Sequence, residues 1–159
     1  MYNFTGKFES KVDAKGRIVL PSGLLKQLPE SQRRQFVVNI GLYKPCLELY
    51  SMDAWNQFMN RIRSLNQHDP EVEVFIDMVL GDASTLDLDT ANRINIPRSL
   101  AAKASLASDA ILMPGLNTYK IWSPEVYEQE MGSHSRSLRS ELAKKFLSDG
   151  SSGTLSAGS

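Results

Sequence analysis

Residues 13–21 read "DAKGRIVLP", and a weaker copy, "DTANRINIP", stands at residues 89–97. In each, an aspartate opens a turn, an arginine follows four residues later, an isoleucine comes next, and a proline closes the segment. Widening the comparison to residues 9–28 and 85–104 aligns Asp13 with Asp89, Arg17 with Arg93, Ile18 with Ile94, Pro21 with Pro97 and Leu24 with Leu100. Five identities in about 20 positions exceed the one or so expected by chance at ordinary composition. The likeness continues downstream. Gly41-Leu42 aligns with Gly115-Leu116, Tyr50 with Trp122, Ser51 with Ser123 and Trp55 with Tyr127. The chain therefore reads as two copies of one unit, and a repeat governs every later inference about fold.

Each copy has the pattern β-β-α-β-β followed by a helix. Phe8, Ser10 and Val12 alternate with Lys7, Glu9, Lys11 and Asp13, which marks a strand with one polar face. Asp13 to Gly16 make the turn, with Gly16 free to take positive φ. Residues 17–20 return as a strand with Ile18 and Leu20 inward and Arg17 outward. Pro21 ends the strand and opens a short helix over about residues 22–28. "QFVVNI" and "CLELY" supply a second strand pair. In the second copy Ser84, Leu86 and Leu88 alternate with Thr85, Asp87 and Asp89, and Asn92 replaces Gly16. Asparagine is one of the few residues that tolerate left-handed φ, so the same turn is expected.

Between the copies, Trp55, Phe58, Met59, Ile62 and Leu65 recur at helical spacing behind Ser51 as N-cap. Asp69-Pro70 reads as a second helix start, with an apolar face of Val72, Phe75, Ile76, Val79 and Leu80. The alternation of Val72, Val74 and Ile76 also permits a strand. Ser123-Pro124-Glu125 is another helix start. Leu138, Leu142, Phe146 and Leu147 give a last amphipathic helix ending near Gly150, and "SSGTLSAGS" reads as a disordered tail. The expected organisation is a first repeat at 7–54, a helical linker at 55–82, a second repeat at 83–126, a helical region at 127–150 and the tail at 151–159.

A unit of about 48 residues buries too little surface to be secure alone. Two such units that intertwine share one core. The fold expected is α+β: tandem ββαββ units forming a pseudo-two-fold, swapped-hairpin (double-psi-like) β-barrel, with linker and C-terminal helices.

Composition narrows the chemistry. The chain has 159 residues, 42% of them hydrophobic, and zero formal net charge. Any polyanion must therefore be met by a local patch and not by a whole-molecule field. No apolar run approaches the roughly 20 residues that span a bilayer, and the N-terminus lacks the apolar core of a secretory signal. Cys46 is the single cysteine, so no intrachain disulfide forms. These features point to a soluble cytosolic protein. His68 and His134 lie far apart with no cysteine company, and there is no Walker loop, GxGxxG or HExxH. No metal, cofactor, membrane or small-molecule substrate is expected. Asp13 and Asp89 are a possible carboxylate pair for acid–base chemistry, yet each opens a turn, where aspartate serves local hydrogen bonding. A non-enzyme is expected.

The first copy is the basic one. Residues 7–26 hold Lys7, Lys11, Lys15, Arg17 and Lys26 against Glu9 and Asp13, whereas Arg93, Arg98 and Lys103 only balance Asp82, Asp87 and Asp89 in the second. A protruding β-ribbon of this width enters a DNA major groove, where arginine contacts guanine and lysines hold phosphates. The other reading makes Asp13–Arg17 an intra-turn ion pair and the lysines solvated edge charges. The two readings are compatible if the pair holds Arg17 in a fixed pose.

At "DAKGRIVLP" the sequence resembles the MraZ family of bacterial transcription regulators, built from two AbrB-like swapped-hairpin units with an Asp-x-x-x-Arg motif in each half. The likeness runs over about residues 1–131 and includes "PCLELY" and the "LGDAS" approach to the second motif. The resemblance implies a repressor that binds DNA upstream of the cell-division and cell-wall gene cluster, assembles into rings and meets short direct repeats. It implies a nucleoid-associated protein whose motif arginines contact DNA, Arg17 first and Arg93 second. The site expected is thus Arg17, Lys15, Lys11, Lys7 and Arg93, with Asp13, Gly16, Asp89 and Asn92 shaping the turns. The second motif has Ala91 and Asn92 where the first has Lys15 and Gly16, and the linker helix "PEVEVFIDMVLG" carries acids where relatives often carry arginines. Two other functions fit the residues: an AbrB-like antitoxin or assembly protein whose main partner is a protein, and an enzyme using Asp13 and Asp89.

Overall fold

The computed structural model describes residues 2–148. They divide into one compact unit up to Val126 and a second from Tyr127 onward. The elements in chain order are β1 (Phe8–Lys11), β2 (Arg17–Val19), α1 (Ser22–Leu25), β3 (Gln35–Ile40), β4 (Leu47–Ser51), α2 (Met52–Arg63), α3 (Pro70–Asp82), β5 (Ser84–Asp87), β6 (Arg93–Asn95), α4 (Arg98–Lys103), β7 (Asp109–Pro114), β8 (Tyr119–Trp122), α5 (Pro124–Met131) and α6 (Arg136–Leu147). A single 3-10 turn, Glu30–Gln32, precedes β3.

Strand pairing follows the repeat and crosses between its copies. One sheet has the order β1-β7-β8-β4-β3-β5, and β2 pairs with β6 in a separate ribbon. β1 of the first copy lies on β7 of the second, and β5 of the second lies on β3 of the first. The registers are related by the repeat: Phe8 faces Leu112 as Ser84 faces Val38, and Ser10 faces Ala110 as Leu86 faces Phe36. Two pairs are self-equivalent, Ile18 with Ile94 and Glu48 with Lys120. The pseudo-two-fold axis passes through both.

Each hairpin is therefore split. Within the first, β1 and β2 are tied by the bridge Val12–Ile18 and by Ser10 Oγ donating to the Val19 carbonyl at 2.9 Å before they part toward different strands of the other copy. The two-stranded ribbon expected inside one copy is instead built between copies, from β2 and β6. The reason is burial. Ile18, Leu20, Ile94 and Ile96 all sit at or near zero exposure, which the two such residues of a lone hairpin could not reach. They join Leu24, Phe36, Val38, Leu47, Leu100, Leu112, Tyr119 and Ile121 in one shared core.

The local signals act as the residues dictate. Gly16 and Asn92 both take left-handed φ, +84° and +59°. Ser51 caps α2 by accepting from the Ala54 N–H at 3.1 Å, and Asp69 caps α3 through Glu71 N at 2.9 Å with Pro70 in the first turn. The segment around Val72–Ile76 is helical: its cap and proline override the local alternation. α1 is shorter than residues 22–28, closing after Leu25 into the tight bonds Gln27 N–Leu24 O and Leu28 N–Leu25 O.

Two helices depart from the faces expected of them. On α2, Met59 and Ile62 are buried, and Trp55 and Phe58 pack on Tyr50, but Leu65 past its end is exposed. On α3, Val79 is buried and Val72 and Ile76 are half-buried, while Phe75 and Leu80 face solvent with Val74 and Met78. Asn39, itself buried, donates Nδ2 to the Val79 carbonyl at 3.0 Å and fixes this helix on β3. In the second unit α6 ends at Leu147, with Leu142, Phe146 and Leu147 exposed. The tail expected at 151–159 lies outside the described residues. Among the described residues no helix is long and apolar enough to cross a membrane.

A Cβ on Gly16 would lie 3.0 Å from the Ile96 carbonyl oxygen, in a backbone conformation β-branched residues avoid. Gly16→Val is expected to destabilise the fold by about 1–2 kcal/mol or more, whereas Asn92→Gly changes little. Urea titrations followed by circular dichroism check both.

Candidate nucleic-acid interface

The two Asp-x-x-x-Arg turns have the same hydrogen bonds. Asp13 Oδ1 accepts from Lys15 N and Arg17 N, both at 2.9 Å, and Oδ2 accepts from Arg17 Nε at 2.7 Å. Asp89 Oδ1 accepts from Ala91 N at 2.9 Å and Arg93 N at 2.8 Å, and Oδ2 from Arg93 Nε at 2.8 Å. The backbone closes each loop through Gly16 N to Asp13 O and Asn92 N to Asp89 O. Each left-handed residue then turns its carbonyl to the other copy: Ile96 N donates to Gly16 O at 2.9 Å, and Leu20 N to Asn92 O at 2.8 Å.

Both carboxylates are held ionised. Three donors, the Arg17 backbone N–H foremost, lower the Asp13 pKa from 3.8 to about 2, and the corresponding donors lower Asp89. A carboxylate so occupied is a poor general base and no general acid near neutral pH, which argues against acid–base chemistry at these positions. Cys46 is buried, and burial pushes its thiol up to about 12, so it is no nucleophile there either. His68 and His134 are exposed. Among the described residues no cluster of His, Cys, Asp or Glu is placed to hold a metal.

The arginines gain a fixed pose. Arg17 and Arg93 are each about a third exposed at the side chain. Among the described residues each guanidinium is engaged through Nε alone, which leaves the outer edge of its fork for a ligand. Because Ile18 and Ile94 point into the core, strand alternation turns Arg17, Val19, Arg93 and Asn95 to the opposite, solvent face of the β2–β6 ribbon. The arginines, far apart in sequence, thus share one small surface.

The lysines divide. Lys15 is exposed on the first turn. Lys11 lies on β1, exposed, with Nζ 2.7 Å from Asp109 Oδ1, a bond that raises the lysine pKa and lowers that of the aspartate. Lys7 is exposed just before β1. Asp109 belongs to the second copy, so sequence reading alone had no means to pair it with Lys11.

The copies also exchange charge. The groove beside the second turn is lined by Lys26, Arg33 and Arg34 of the first copy, against Glu30 and Asp89. The groove beside the first turn is lined by Lys15 and by Arg98 of the second copy, against Asp13. Each groove carries one net positive charge. The neutral tally of residues 82–103 therefore does not describe the surroundings of the second turn. Arg34 is brought there by its own carbonyl, which accepts from Leu88 N at 2.8 Å. Arg33 and Arg34 went unmarked in the sequence, and Arg98 was counted there only with the second copy, because the turn each one borders belongs to the other copy. The one available signal was the repeat itself, taken together with strand exchange.

Two ββαββ copies exchanging strands around a pseudo-two-fold axis, with an aspartate-braced arginine at each turn, define a swapped-hairpin β module. A family model described as "MraZ protein, putative antitoxin-like" matches residues 3–76 and 79–149. Relatives named "Transcriptional regulator MraZ" include one from Christiangramia forsetii, 37% identical over 131 residues, covering 82% of this chain and 84% of the relative. One from Cytophaga hutchinsonii is 31% identical over 144 residues, covering 91% and 94%. A third, from Flavobacterium psychrophilum, is 35% identical over 129 residues, covering 81% and 82%. The chain belongs to the MraZ family.

The depressed pKa values carry a pH signature. A carboxylate whose folded pKa lies below its unfolded value stabilises the fold fully above that unfolded value, and loses this as pH falls through the folded one. Stability of the wild-type protein is expected to decline between pH 4 and pH 2. The Asp13→Asn/Asp89→Asn double variant, less stable at pH 7, is expected to show a shallower decline over the same range. Thermal melts at stepped pH check the difference.

Proposed function

We propose that this chain is a transcription regulator that binds duplex DNA in a sequence-specific manner through the solvent face of the β2–β6 ribbon. The observation that carries the reading is the pair of arginines braced by their own aspartates on that face. A planar guanidinium held at Nε presents its remaining donors in a fixed plane, the geometry that matches guanine O6 and N7 in the major groove. Orienting the side chain beforehand lowers the entropy lost on binding. Arg17 and Arg93 are the base contacts. Lys15, Lys7 and Lys11 position the phosphates, with Lys11 exchanging its exposed partner Asp109 for a phosphate oxygen. The family name of the relatives, and the absence of a free catalytic group in the two turns, favour this over an enzyme.

The finer reading is a cytoplasmic, nucleoid-associated repressor of a division and cell-wall gene promoter, acting as a ring of identical subunits on direct repeats. The two repeats at 7–54 and 83–126 form the DNA-binding module, and the linker at 55–82 supplies assembly. Support for assembly comes from α3, where Val74, Phe75, Met78 and Leu80 are exposed together, more apolar side chain on one short helix than a solitary protein usually shows. Several modules on tandem sites gain affinity without new contacts.

Fluorescence anisotropy on promoter duplexes across a salt series tests the DNA reading. Arg17→Ala is expected to lower discrimination between specific and random duplex by about 1–3 kcal/mol. Lys15→Ala is expected to weaken all sequences alike and lower the slope of log K against log salt by about 1. Unchanged binding by Arg17→Ala refutes the site. For assembly, Met78→Glu is expected to reduce the sedimenting mass; a wild-type monomer at high concentration refutes the ring.

A further inference from the structure

The β2–β6 ribbon carries two more outward side chains than the motif names. In the antiparallel register Arg17 lies directly across from Asn95, and Val19 directly across from Arg93. Directly opposed residues on one face have Cβ atoms about 4.5–5.5 Å apart. The four side chains therefore form a closed quartet, with an asparagine beside one arginine and a valine beside the other.

Asn95 borders the groove beside the first turn, with its amide oxygen next to Gly16, and Val19 is an ordinary strand residue, yet neither side chain is satisfied by a polar or buried neighbour. Asparagine is disfavoured in strands, and Asn95 is exposed, with no hydrogen bond from its amide to any described residue. It caps no helix and closes no turn. Val19 is 44% exposed, although Ile18 and Leu20 on either side of it are fully buried.

We propose that Asn95 and Val19 are base-reading residues that flank the two arginines, Asn95 for adenine and Val19 for the methyl group of thymine. This inference rests on the DNA reading above. Asparagine offers one donor and one acceptor in a plane, the complement of adenine N7 and N6 in the major groove, and an apolar side chain is the complement of the thymine C5-methyl. Spacing agrees. Alternate residues on one strand lie about 6.6–6.8 Å apart, about two steps of a duplex rising 3.4 Å per base. The arginine and the residue two positions on can thus address separate base pairs.

A second consequence follows from the pseudo-symmetry. Val19 and Asn95 occupy equivalent places, each two residues after its motif arginine. The backbone of the ribbon is two-fold, but its chemistry is not: one half reads as arginine and valine, the other as arginine and asparagine. A two-fold protein surface matches a palindrome. This surface matches a site with direction, and a single module sets the orientation in which it sits on DNA.

The test begins with duplexes enriched from a random pool by the wild-type protein, followed by binding to every single base-pair substitution of the winner. Asn95→Ala is expected to lose about tenfold discrimination at one A·T pair, with the salt slope and the melting temperature unchanged. Asn95→Asp, which turns the donor into an acceptor, is expected to move the preference at that pair from adenine toward cytosine. Replacing the relevant thymine by deoxyuridine removes the methyl group. Wild type is expected to lose affinity severalfold on that probe, and Val19→Ser to bind the two probes equally. Intact selectivity in Asn95→Ala, or a uniform loss on all sequences, overturns the asparagine assignment. Equal wild-type binding to thymine and deoxyuridine overturns the valine assignment. A wild-type protein indifferent to sequence overturns the function reading itself, and this inference with it.

Discussion

One carboxylate in each turn holds the rest in place. Asp13 and Asp89 each accept two backbone N–H groups and a guanidinium Nε. This forces the next strand to leave the turn in one direction and pins the arginine at its start. The left-handed residue of each turn then gives its carbonyl to the other copy. A turn cannot open without breaking a bond to its counterpart, so the local motif and the strand exchange stabilise each other. Buried polar groups that go unpaired are costly, and the described residues leave no buried side-chain nitrogen or oxygen without a partner.

The exchange redistributes charge as well as strands. Cations that are remote in sequence from the second motif line its groove, and Arg98 of the second copy lines the groove of the first. The same net lining charge arises from unlike segments. On the ribbon between the grooves the opposite holds: equivalent backbone positions carry Val19 and Asn95. The symmetry of the core, set by packing, need not extend to the solvent face, where side chains answer to a partner and not to one another.

The outer helices show how far periodicity reaches. A stripe of apolar residues states that a face is to be buried, not what buries it. On α2 much of the stripe meets β3 and β4 of the same chain, through Ala54, Trp55 and Phe58 around Val37 and Tyr50. On α3 the same kind of stripe is only partly covered, because Asn39 holds the helix by its Val79 carbonyl and leaves Phe75, Met78 and Leu80 outside.

By itself the sequence determined the local geometry and the repeat. Aspartate, glycine or asparagine, and proline have strong backbone preferences that act over four or five residues, so the turns, the helix starts at Ser51 and Asp69, and the inward places of Ile18 and Leu20 were legible from the residues alone. Pairing was not. Whether Arg17 faces Asn95 or a residue of its own hairpin depends on which strands bury Ile18 together. That choice is made by a core assembled from positions some 76 residues apart. The company each arginine keeps, the partner of Lys11 and the cations around the second turn all follow from that exchange, and for that reason the tertiary structure alone decided them.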